Sequence, residues 1–213
     1  MSTAMTINIL IIGAICAIAL LIIPGLLSRS QGRMLSQYGI LEKRFRFKRH
    51  AFTSKWGAGI GERHSLSGEY RGYAIAIYDH FKGKGSQKRV WTSLTLEATF
   101  AGERDFYVES SATEIEARFD SGSGERESCG HAGDFEIWRL GEDTDPGFSD
   151  CLKSERLAAF QGLGAFRLSK GFFEYREKGR LVDEAMRMRF QEALLILAEM
   201  ADRVSEHVAS PDA

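Results

Sequence analysis

The chain has 213 residues, 28 Lys or Arg against 29 Asp or Glu, and a formal net charge of −1. Three cysteines exclude a disulfide framework, and the charge balance excludes a strongly basic nucleic-acid binder. The length allows one core of ordinary size.

The chain opens on an apolar stretch. Ile7 to Leu27 spans 21 residues without a charge. At about 1.5 Å per residue such a helix is roughly 31 Å long, close to the thickness of a bilayer's hydrocarbon layer. The stretch predicts a transmembrane anchor over 1–28. Gly13, Ala14 and Ala17 are small residues suited to close packing against another membrane helix. A cleavable signal peptide fits less well. Residues 1–6 carry no Lys or Arg, and no small-residue cleavage site follows.

Arg29, Arg33, Lys43, Arg44, Arg46, Lys48 and Arg49 follow the stretch, opposed only by Glu42. This basic flank predicts an N-terminus outside and a cytoplasmic C-terminal domain, in the inner membrane. A periplasmic domain is the alternative, since large domains translocate despite charge. Residues 29–43 read as a basic linker, with Arg29, Arg33, Lys43 and Arg44 against anionic headgroups. Residues 50–213 hold 21 Lys or Arg and 28 Asp or Glu, about −7. Such a body argues against nucleic acid as partner.

The expected globular domain runs from 44 to 207, with a frayed tail at 208–213. RFRFKRHAF, 44–52, alternates Phe45 and Phe47 with basic residues and predicts a first strand. GAGIG, 57–61, reads as a loop. GEYRGYAIAIYDH, 68–80, reads as a half-buried strand and GKGSQK, 83–88, as the turn after it. In VWTSLTLEATF, 90–100, Leu94, Leu96, Ala98 and Phe100 share one face of a strand. Residues 106–108 give a short strand, and 112–119 fit strand or helix. DSGSGERESCGHAG, 120–133, reads as a flexible loop, and DFEIWRL, 134–140, as strand. Ser149 is placed to cap a short helix over CLKSERLAAF, and AFRLSKGFFEY predicts a hairpin turning at Lys170-Gly171.

Val182, Met186, Phe190, Ala193, Leu197, Met200 and Val204 recur at spacings of four and three. They predict a long amphipathic helix whose apolar stripe covers one face of a sheet. The expected fold class is α+β: an N-terminal transmembrane helix, then an antiparallel sheet packed by a short helix and a long C-terminal helix.

Cys129-Gly130-His131 with Asp134 is the one cluster of reactive side-chain types. Metal binding needs more ligands than this pair provides, and a nucleophile needs a base held at a fixed distance. An ordinary loop is the preferred account of the cluster. GAGIG and GKGSQK lack the glycine spacing of nucleotide-binding turns. Glu114 and Glu116 are candidate paired carboxylates or a solvated strand face. Trp56, Trp91 and Trp138 are candidate pocket residues or core. No catalytic, cofactor-binding or metal residue is assigned.

SLSGEYRGYAIAI, 65–77, and the run from Gly133 to Ala201 resemble bacterial single-pass membrane-anchored proteins of unknown function. The resemblance implies an N-terminal anchor and a β-rich domain, and no activity.

The expected function is a membrane-anchored, non-enzymatic protein-interaction domain, an accessory or scaffold subunit of a membrane protein complex. Its expected partners are the lipid bilayer, other membrane-protein subunits and a second copy of the chain. One alternative is a membrane-tethered small-ligand or lipid sensor with a pocket between sheet and long helix. Another is a hydrolase using Cys129, His131 and Asp134.

Overall fold

One row of paired residues crosses eight strands. Leu66, Ile77, Leu94, Tyr175, Phe166, Val108, Ile137 and Gly130 stand opposite one another from strand to strand. The structure is a computed structural model that describes residues 29–53, 62–83, 88–102, 104–110, 113, 126–140 and 147–210.

Among those residues, helix α1 (29–45) is followed by β1 (Lys48–Thr53), β2 (Glu62–Tyr70), β3 (Tyr73–Lys82), β4 (Arg89–Glu97), β5 (Asp105–Ser110), β6 (Arg126–Ala132) and β7 (Phe135–Leu140). Then come the short helices α2 (Phe148–Cys151) and α3 (Glu155–Ala159), strands β8 (Ala165–Ser169) and β9 (Phe172–Lys178), and the long helix α4 (Glu184–Ala209). The nine strands form one antiparallel sheet in the order β1-β2-β3-β4-β9-β8-β5-β7-β6. The β8–β9 hairpin is thus wedged between β4 and β5, and it joins the two halves of the sheet.

Local chemistry explains the hairpins. Arg71 and Gly72 between β2 and β3, and Lys170 and Gly171 between β8 and β9, all have positive φ. Two consecutive left-handed residues make the turn whose twist matches paired strands.

Helices cover one face of the sheet. On α4, Met186, Phe190, Ala193, Leu197, Met200 and Val204 are buried. Asp183 caps the helix, its side chain accepting from the Met186 amide at 2.8 Å. At its first turns, Arg189 donates to the buried Glu177 of β9 at 2.9 Å, and the Tyr175 hydroxyl donates to the same carboxylate at 2.8 Å. At its far end, Arg71 and Tyr73 both donate to Asp202 at 2.9 Å. The helix is therefore fixed at both ends by charge and along its length by apolar burial. Truncating one such buried leucine typically costs about 2–5 kcal/mol.

The expected fold class is corrected at its N-terminal part. Among the described residues no helix is long and apolar enough to cross a membrane. The stretch behind the expected anchor, 1–28, lies outside the described residues, as do Gly13, Ala14 and Ala17. The expected membrane-anchored character and single-pass inner-membrane location, with its cytoplasmic domain, rest on that stretch and find no support in any described helix. The described helix nearest that stretch is α1, and it is amphipathic. Met34, Tyr38 and Leu41 are buried in the sheet core, while Arg29, Arg33, Lys43 and Arg44 are exposed.

Residues 29–43, expected as a linker, therefore belong to the fold. Gln37 accepts from Arg187 of α4 at 3.0 Å, and Arg44 donates to Gln191 of α4 at 2.7 Å. The first strand begins at Lys48 rather than Arg44, because Arg44 and Phe45 complete α1. The expected strand over 68–80 is the hairpin of β2 and β3, and the expected loop at 120–133 contains β6. The ambiguous stretch 112–119 lies outside the described residues except Thr113, as do Glu114, Glu116, Trp56 and the GAGIG run.

Candidate functional site

Strand periodicity puts a second set of side chains on the face away from the helices. It includes His80 of β3, Trp91 and Ser93 of β4, Glu174 and Arg176 of β9, and Arg167 of β8. Tyr107 and Glu109 of β5, Glu136 and Trp138 of β7, and Arg126 and His131 of β6 continue it. An outward sheet face is ordinarily solvated. On this one Ser93 is 0% exposed, Glu109 5%, Arg176 8% and Glu174 9%. Charged side chains are buried to that degree only when paired.

The pairing is specific. Ser93 Oγ donates to Glu174 Oε1 at 2.7 Å, and Arg167 donates to Glu174 Oε2 at 3.0 Å. The Arg176 guanidinium lies over the Trp91 ring, 5.5 Å from its centre. His80 Nδ1 lies 3.4 Å from Ser93 Oγ. Burial holds the His80 pKa below its ordinary value. The Glu174 carboxylate opposes that shift, and Arg176 and Lys82 reinforce it.

Toward the β6 edge the same face opens into a cavity of about 340 Å³. It is lined by Glu109, Ser110, Arg126, His131, Asp134, Glu136 and Trp138. Arg126 donates to Glu109 at 3.0 Å and lies 4.8 Å from the centre of the Tyr107 ring. Glu109 and Glu136 are directly opposite in the β5–β7 ladder, and Glu136 is opposite His131 in the β6–β7 ladder. Asp134 enters from the β6–β7 turn, where Gly133 takes φ +60.

The sequence singled out Cys129, His131 and Asp134 together, and the structure separates them. His131 and Asp134 line the cavity. Cys129 is the extra residue of a bulge between Ser128 and Gly130. It packs against the apolar core, its Sγ 3.4 Å from the Glu127 carbonyl. The bulge turns the thiol out of register with the histidine. Among the described residues no group of three His, Cys, Asp or Glu could hold a metal ion.

Of the three tryptophans, Trp91 is buried and Trp138 lines the cavity. Glu109, Arg126 and Glu136 were missed as site residues. The available signal was the alternation in FYVES and FEIWRL, which puts a lone glutamate on the face away from the apolar core in each strand.

The fold and site define a class: an antiparallel sheet with helices on one face and a buried, charged, cavity-bearing surface on the other. No family model matches the chain, and no curated protein matches it. Among solved structures, the mycobacterial trehalose monomycolate transport factor A, TtfA, is similar at a TM-score of 0.49 and 13% identity. The alignment covers 81% of this chain and 92% of that one. A likeness at that level carries nothing of that protein's role to this chain.

Proposed function

We propose that this chain is a non-catalytic binding domain, a scaffold or accessory component whose strand face receives a ligand or a partner's side chain. The observation that carries the reading is the cavity beside β6. It is concave, and its volume is in the range of small-ligand sites. Its walls mix an indole with ionised groups held on rigid strands. Among the described residues, no hydrogen bond joins His131 to a nucleophile. Ser110, the one hydroxyl among the described lining residues, instead lies 3.3 Å from the Thr113 hydroxyl. A pocket between sheet and α4, as a sensor would need, is not what the described residues form. Phe190, Ala193, Leu194 and Leu197 fill that side at 1% exposure or less.

The test is an NMR fragment titration of the full chain with ammonium, guanidinium, carboxylate, phosphate and neutral aromatic probes. Saturable shifts at the Trp138 indole and the Glu109, Arg126 and Glu136 amides are expected for one chemotype. If no probe moves these resonances saturably, the binding-domain reading is lost.

A further inference from the structure

We infer that the cavity takes an organic cation, an ammonium or guanidinium group, seated on Trp138 between Glu136 and Asp134. This rests on the binding reading above and names its ligand class.

The strand face already builds this arrangement from its own residues. Arg176 lies on Trp91, and Arg126 lies on Tyr107. Each guanidinium has an aromatic ring to rest on, and Arg126 also has a carboxylate, Glu109, at 3.0 Å. Trp138 stands next to Tyr107 in the β5–β7 ladder, on the same face. Among the described residues no cation lies on its ring. It is a third aromatic platform, and it forms a wall of the cavity rather than packing under an arginine.

Charge points the same way. Among the described residues the cavity wall holds three carboxylates, Glu109, Asp134 and Glu136, against one guanidinium, Arg126, and one imidazole, His131. Arg126 pairs with Glu109, which leaves Glu136 and Asp134 without an ion partner among the described residues. Glu109 and Glu136 also stand directly opposite each other, and the Arg126–Glu109 pair offsets only part of their repulsion. A bound cation converts that repulsion into attraction. The indole favours a diffuse organic cation, which keeps its attraction to a ring face when partly desolvated. A bare metal ion is disfavoured because the described residues supply no ligand set for one.

The cation could belong to a free amine or to an arginine or lysine of a protein partner, and the experiment separates the two. The full chain is titrated by NMR with n-butylammonium, with methylguanidinium and with the tripeptide Gly-Arg-Gly. Acetate, methyl phosphate and ethylene glycol serve as comparison probes. Saturable binding of the cations alone, centred on the Trp138 indole, is expected. Binding of the tripeptide at least about tenfold tighter than methylguanidinium assigns the site to a partner's side chain. Equal affinities assign it to a small molecule. Glu136→Gln, a substitution at a half-buried position without an ion partner, is expected to keep the amide spectrum and weaken the cation about tenfold. Trp138→Leu is the second variant, with loss of binding expected at retained thermal stability. Saturable binding of acetate, methyl phosphate or ethylene glycol at these resonances, with no cation binding, overturns the cation assignment and leaves the binding domain standing. Unchanged cation affinity in Glu136→Gln overturns the seat. If none of the six probes binds, the cation assignment fails, and the binding reading fails with it only when the neutral aromatic probe also leaves these resonances unmoved.

Discussion

Ser93 and Glu174 meet diagonally across β4 and β9, with Ser93 Oγ donating to Glu174 Oε1 at 2.7 Å. The contact lies on the face away from the helices, at the centre of the sheet, where the β8–β9 hairpin is inserted. The second carboxylate oxygen accepts from Arg167 of β8. One buried carboxylate thus ties three strands together, at the seam where β9 and β8 link β4 to β5. The apolar row on the helix face specifies which side is buried. The polar set specifies register, because a slip of one residue would carry Glu174 into the apolar core.

Removing this contact is expected to destabilise the protein without changing its architecture. Ser93→Ala deletes a hydrogen bond to a charged group, a loss of about 1.5–3 kcal/mol. Glu174→Ala removes the carboxylate that Arg167 pairs with. Its cost is about 3 kcal/mol, the low end for one partner of a buried pair, because Arg167 keeps 33% of its side chain in water. Urea unfolding would show lower midpoints at an unchanged slope. Midpoints equal to the parent would mean that the seam does not depend on this carboxylate.

His80 makes stability depend on acid. Burial lowers its folded pKa beneath the ordinary histidine value, more than the nearby Glu174 raises it, and Arg176 and Lys82 add to the lowering. The unfolded chain therefore takes up a proton first as pH falls. Stability is full above the unfolded pKa, about 6.5, and declines as pH drops from there toward the lower folded value. His80→Gln is expected to flatten that limb of the stability curve. A variant whose midpoint falls between pH 7 and 5 as steeply as the parent's would show that other groups set the acid limb.

Tyr38 and Tyr175 act on the alkaline side. Burial is the main cause that raises both phenols, with Asp79 adding to it at Tyr38 and Glu177 at Tyr175. The folded chain holds these protons after an unfolded chain would lose them. Stability is therefore complete below the unfolded tyrosine value, about 10, and falls as pH rises above it. Ultraviolet difference absorbance should show tyrosinate formation from only part of the six tyrosines until the chain unfolds. Full ionisation with native circular dichroism would contradict the burial of Tyr38 at 0%.

Periodicity made some of this legible and concealed the rest. The stripe from Met186 to Val204 announces α4 because one side of it must be dry. Lys170-Gly171 announces its hairpin because a glycine accepts the left-handed conformation the turn requires. Arg71-Gly72 makes the same kind of turn, yet it lies inside a run that alternates on both sides, so two strands read as one. Arg29 to Lys43 reads as a linker because its charges are dense. Its three core residues, Met34, Tyr38 and Leu41, are spaced for a helix but outnumbered by polar neighbours. The cavity was legible only in part: His131, Asp134 and Trp138 stand out by residue type, while Glu109, Arg126 and Glu136 join them only through strand order. No local pattern tells that β5 lies beside β7 and β8.

Gly133 tests how the cavity edge is held. It starts the β6–β7 turn with φ +60, a conformation that costs a residue with a Cβ about 1 kcal/mol or more. A Cβ there would also lie 2.5 Å from the Ala158 carbonyl oxygen and 2.8 Å from its Cα. Both are backbone atoms of α3, so no flexible side chain can yield. Gly133→Ala must shift either the turn or the helix, and the turn carries Asp134 into the cavity. The expected result is a loss of about 1–3 kcal/mol in urea unfolding, with amide shifts confined to 131–136 and 154–160. Gly72→Ala is the internal comparison. Its φ is +85, but no atom lies within 4 Å of its added Cβ. It should incur the conformational cost alone. The difference between the two variants therefore measures the close approach of α3 to the turn. Equal losses would show that α3 gives way freely and that the edge of the cavity is not braced by it.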